Sequence, residues 1–158
     1  MTDEKKQEFT LKITRANRTG LTVIVYEIAL EYIQEAIEYG QSKETEQYIR
    51  AIRNASACME KLKETLDFSY AVSGTLLHFY ISIKKQMAKA IASLRTEDLE
   101  LVIYGIEEMK RAFEEVAAQD DSAPFYENRE EISAGYTYGK SGVNVNPNAG
   151  SASRGFLA

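Results

Sequence analysis

Few side chains in this sequence are of the types that do chemistry. His78 is the only histidine and Cys58 the only cysteine. A phosphotransfer bundle exposes one helical histidine, usually followed within a few residues by a Lys-Gly pair. Here Phe79-Tyr80-Ile81-Ser82 follows His78, and an incidental surface histidine is the better reading. A di-iron bundle enzyme needs inward glutamates and two Glu-x-x-His pairs. One histidine cannot supply two, and Thr75 stands where the first glutamate would. Gly139-Lys140-Ser141 looks like the end of a phosphate-binding loop, but Ala134 occupies the position of its first glycine. Neither the strand before it nor the helix after it is evident. Cys58 lies at the edge of an apolar helix face, as a structural thiol does. The pairs Glu107-Glu108 and Glu114-Glu115 are ordinary solvated helix faces. The expectation is a protein that is not an enzyme, with no catalytic residues, metal or cofactor.

Composition sets wider bounds. A chain of 158 residues suits one domain with a sizeable core. A net charge of −5 and a pI near 5.1 argue against a general binder of nucleic acid, which presents a basic surface. A single cysteine excludes an internal disulfide and fits a reducing compartment. The N-terminal MTDEKKQEF has no apolar signal region. The most apolar run, residues 21–33, is interrupted by Glu27 and Glu31 and is too short to span a bilayer. The expected protein is soluble and cytoplasmic, with no membrane insertion.

The elements that would position any site are helical. Residues 21–39 read as a first helix, with Thr19 as its N-cap and Gly40 as its C-cap. At about 100° per residue, Leu21, Val25, Ile28, Tyr32 and Tyr39 form one apolar stripe. Val23, Tyr26, Leu30, Ile33 and Ile37 form a second, roughly opposite. That is about twice the apolar arc a bundle helix needs, so something must cover the second side. A second helix, capped by Ser42 and running to about residue 67, is one-sided through Tyr48, Ile52, Ala55, Met59, Leu62 and Leu66. A third spans about 71–94, its stripe of Leu76, Tyr80, Ile83, Met87 and Ala90 widened by Leu77, Ile81, Ala88 and Ile91. A fourth starts at Thr96 and ends near residue 118, with Val102, Ile106, Met109 and Phe113 on one side. Gly105 lies inside this helix, where a close helix approach would explain it.

Four helices with short connections predict an all-α fold, an antiparallel up-and-down four-helix bundle over residues 19–118. Residues 1–18 are a charged leader whose Phe9-Leu11-Ile13 alternation suggests an extended segment lying on the bundle. Residues 119–158 hold both prolines and five of the nine glycines and read as a mostly irregular tail. Within it, 136–138 and 143–145 flank a Gly-rich loop and are candidates for a small hairpin.

The helical stretch 14–115 resembles the flagellin-specific export chaperones of the FliS type. Leu21 followed by Val25-Tyr26-Glu27-Ile28-Ala29 is similar to the family's first helix. Leu62-Lys63-Glu64-Thr65-Leu66-Asp67 is similar to its Leu-x-x-x-Leu-Asp end of the second. Leu76-Leu77-His78-Phe79-Tyr80, with Ala90 ten residues beyond Tyr80, matches its third. The chain departs from the pattern at Arg18-Thr19-Gly20, where a Ser-Pro cap is common, and at Phe113, where a tryptophan often stands. The resemblance implies a non-enzymatic cytoplasmic bundle that binds the disordered C-terminal segment of flagellin, largely as helices. It would thereby prevent polymerisation before export and deliver its client to the export gate of the flagellar secretion apparatus. The expected partner surface is Val23, Tyr26, Leu30, Ile33, Leu77 and Ile81. The expected lid is Phe9, Leu11 and Ile13 of the leader, or Tyr136, Tyr138 and Phe156 of the tail. A homodimer interface on the surplus apolar face is the alternative, and a histidine phosphotransfer domain a further one.

Overall fold

The computed structural model describes residues 1–126. They form α1 (Asp3–Arg15), α2 (Arg18–Gln41), α3 (Thr45–Glu64), α4 (Val72–Ser93) and α5 (Glu100–Ala118), with a 3-10 turn at Thr96–Leu99 leading into α5. No strand occurs among the described residues. The anticipated hairpin and the tail residues Tyr136, Tyr138 and Phe156 lie outside them.

The four anticipated helices are α2 to α5, each antiparallel to its chain neighbour. Tyr48 near the start of α3 donates its hydroxyl proton toward the Ala90 carbonyl near the end of α4 (3.1 Å). Thr19 at the start of α2 donates to Asp120 Oδ2 just past α5 (2.8 Å). The shared core contains Tyr26 and Ile33 from α2, Ile52 and Met59 from α3, Tyr80 and Met87 from α4, and Val102 and Ile106 from α5. On α3, α4 and α5 the buried side chains follow the stripes anticipated above. Gly105 faces Ile83 and Phe79 of α4. A Cβ there would stand 2.8 Å from Ile83 Cδ1, so the two helices do approach closely.

The leader is a helix, not an extended segment. Thr2 accepts a hydrogen bond from the Lys5 amide (3.3 Å), Asp3 and Glu4 occupy the first turn, and Lys12 and Arg15 the last. That charge order complements the helix dipole. Alternation over Phe9-Leu11-Ile13 is too short a pattern to outweigh caps at both ends.

On α2 the correction is larger. Val23, Tyr26, Ala29, Ile33 and Ala36 are buried, while Val25, Tyr32, Tyr39, Leu30 and Ile37 pack against the core from its margins. The two stripes are therefore the two edges of one broad inward face whose centre is filled by Ala29, Ala36 and Gly40. Gly40 is not a C-cap but a contact point, where a Cβ would lie 2.5 Å from Thr96 Cγ2 and 3.2 Å from the Tyr48 ring. The caps also differ. Asn17, not Thr19, caps α2, accepting from the Gly20 amide (2.8 Å). Ser42 closes α2 and does not start α3. Thr96 opens the 3-10 turn that precedes α5.

Candidate functional site

The side of α2 that faces away from the core carries Glu27, Glu31, Glu35 and Ile24. α1 lies across it, antiparallel, so that a polar strip which would otherwise face solvent is covered. Lys5 pairs with Glu31. Lys12 pairs with Glu27 at 3.1 Å and with Glu8 at 3.2 Å. The hydrogen bond that Lys12 donates to Glu27 is the main cause that raises the Lys12 ammonium pKa above its ordinary value, with that to Glu8 second. Between the two lysines Phe9 turns inward, the single buried side chain of α1, with Lys12 Nζ 5.3 Å from its ring centre. Positions 5, 9 and 12 share one helix face, and Glu27 and Glu31 stand one turn apart on the opposing helix.

This cover is incomplete. Between α1, α2 and the end of α5 runs an open cleft of about 720 Å³, whose apolar lining includes Leu11, Ala16, Val23, Ile24 and Ala117. Leu11 remains 52% exposed. A helix–helix seam packed like a core leaves no such space.

The six side chains anticipated for a partner surface do not form one groove. Tyr26 and Ile33 are wholly enclosed by the bundle. The Tyr26 hydroxyl shares a 2.8 Å hydrogen bond with that of Tyr80, and burial pushes both hydroxyl pKa values up. Tyr26 and Ile33 stand on the inward face of α2, which is why they cannot reach a partner. Val23 lines the cleft beneath α1, and Leu30 borders a smaller depression with Phe9 and Lys110 of α5. Leu77 and Ile81 lie elsewhere, on the flank of α4 that carries Lys84, whose ammonium pairs with Glu60 of α3. Ile81 is 37% exposed. Of the anticipated lid, Phe9 is buried, Ile13 half-buried and Leu11 the most open.

Sequence reasoning missed Ile24 and the pairing of Lys5 and Lys12 with Glu31 and Glu27. The signal was available in the leader, where basic side chains at helical spacing match acids at helical spacing on α2. A further depression of about 280 Å³ opens at the α3–α4 turn, lined by Leu62, Leu66, Tyr70, Leu76 and Phe113. Phe68, Tyr70 and Val72 are exposed around it.

The remaining chemistry is sparse. His78 is exposed on α4. Cys58 is half-buried, and burial pushes its thiol up to about 11, far from a reactive thiolate. Among the described residues, no His, Cys, Asp and Glu side chains cluster in a way that could hold a metal ion. None of the described helices is long and apolar enough to cross a membrane.

No curated protein matches the chain. The protein family described as Flagellar protein FliS matches residues 1–120, a stretch that takes in α1 to α5 and the whole seam between α1 and α2.

Proposed function

The chain belongs to the flagellar protein FliS family, and on that premise we propose that it is a cytoplasmic secretion chaperone for flagellin. It binds the disordered C-terminal segment of flagellin, prevents premature polymerisation and hands the client to an export-gate protein. It is not an enzyme. The observation that carries this reading is α1, a helix fastened by ion pairs and one phenylalanine over an apolar cleft it does not fill. A receptor for an amphipathic helix needs such a track, with apolar anchors at helical spacing. α1 occupies it and has to be displaced, which makes it a lid.

Val23, Leu30 and Ile24 would meet the client at the α1 seam. Leu77 and Ile81 would meet it on the α3–α4 flank, with Tyr26 and Ile33 supporting the seam from inside. Two apolar tracks on separate faces suit a long segment that wraps the bundle. Such coupled folding buries roughly 1,000–3,000 Å² and spends a few kcal/mol on ordering. Burial of Tyr26 and Ile33 in the bundle core takes those two side chains of the second stripe away from the homodimer alternative.

The test is titration of a flagellin C-terminal peptide into the full chain and its Phe9→Ala variant. Removing the anchor of the lid raises the binding-competent fraction and is expected to tighten binding several-fold. Absence of binding by both proteins sinks the chaperone reading.

A further inference from the structure

α1 reports on the chemistry of what its seat accepts. The seat is an apolar floor of Val23 and Ile24, bordered by Glu27 and Glu31. The helix seated there presents Lys5, Phe9 and Lys12, a cation, an aromatic ring and a cation on one face. Both lysines are bonded to the acids beneath, and the ring between them is buried. Yet the fit is loose, with about 720 Å³ left between α1, α2 and α5 and Leu11 half in solvent. The seat thus has a defined charge register and unused apolar volume.

We infer that the outer strip of α2 is a selective docking track for a basic amphipathic helix, one that places two cations over Glu31 and Glu27 with an apolar residue between them. α1 is the built-in occupant with the same pattern. This rests on the chaperone reading and adds to it a rule about which helical segment of the client is seated at this position. Glu27 and Glu31 set specificity. α1 itself runs antiparallel to α2, with Lys5 over Glu31 and Lys12 over Glu27. The apolar floor contributes affinity and is indifferent to sequence.

The probe is a fluorescent, helix-stabilised peptide copying residues 2–16 of this chain, beside a second peptide in which the two lysines that copy Lys5 and Lys12 are replaced by glutamate. Both are titrated into the full chain carrying Phe9→Ala, and into the same chain also carrying Glu27→Lys and Glu31→Lys. The lysine peptide is expected to bind the first protein roughly tenfold more tightly than the glutamate peptide, as two partly exposed ion pairs allow. In the charge-reversed protein the preference is expected to invert. Circular dichroism checks that both proteins are folded. Equal affinity for the two peptides, or no binding of either, overturns the inference.

The flagellin C-terminal segment is titrated into the same two proteins. If it binds both equally, the chaperone reading stands and the selectivity rule fails. If the peptide preference inverts while the flagellin segment binds neither, the rule stands and the flagellin assignment fails.

Discussion

α2 is held on its two sides by different physics. Toward the core, Tyr26, Ala29, Ile33 and Ala36 are fully enclosed, and even the polar atoms are paired, Tyr26 with Tyr80. Toward α1, the contacts are partly exposed ion pairs, a single buried phenylalanine and an unfilled cleft. Burial of an aromatic side chain stabilises by roughly 1.5–3 kcal/mol, and an exposed ion pair by about 0–1 kcal/mol. α1 has one such anchor and the core many, so α1 is expected to open more readily than the core. The proposed lid requires that α1 open while the bundle stays folded.

The largest effect should come from breaking the core side. Ile33→Ala removes a fully buried side chain, with an expected loss of about 2–5 kcal/mol in urea unfolding. Tyr26→Phe should cost less, about 1–3 kcal/mol, because it leaves the buried Tyr80 hydroxyl without its partner. The double variant Tyr26→Phe/Tyr80→Phe should recover part of that loss; a double variant no better than the single would show the pair is not coupled. On the other side of α2, Phe9→Ala should change global unfolding by about 1 kcal/mol or less if α1 opens locally before the bundle unfolds. Amide exchange should nevertheless lose its protection in α1 and keep it in α2. Loss of protection in both helices would erase the contrast between the two sides.

Raising salt should weaken α1 in the same selective way, since the Debye length falls to about 3 Å at 1 M. The smallest effect concerns Glu60, which joins α3 to α4 rather than α1 to α2. The hydrogen bond from Lys63, and then that from Lys84, holds its carboxyl at about 2, below the ordinary 4.5. A depressed carboxylate contributes stability that is complete above the unfolded value and is lost as pH falls. The loss should run from about 4.5 down to about 2. Glu60→Gln should flatten that part of the acid-unfolding curve, and an unchanged curve would remove Glu60 from the account.

Much of the bundle was legible because α3 and α5 each carry one narrow apolar stripe. Tyr48, Ile52, Met59 and Leu62, and Val102 and Ile106, went inward as their spacing indicated. α4 was legible along its main stripe of Leu76, Tyr80, Ile83, Met87 and Ala90, and so was its closeness to Gly105 of α5. The candidate site was legible only in fragments. Val23, Leu30, Leu77 and Ile81 border surfaces, but on two different sides of the molecule. Tyr26 and Ile33 were misread because an apolar count gives no weight to the small residues between them. Ala29, Ala36 and Gly40 mark where α2 comes closest to its neighbours, and their smallness makes that face look split in two. Equally, nothing in residues 3–15 alone makes a helix of that length stable in water.

By itself, the sequence determined the helical class and the number and order of the four long helices. These follow from local periodicity and residue type, which need no partner to be read. Only the tertiary structure decided which arc of α2 turns inward, that the leader is a helix, and where the open apolar volume lies. Those outcomes depend on pairs distant in sequence, Lys5 with Glu31 and Lys12 with Glu27, and on the closeness of packing at small residues. Both exist only once the helices have met.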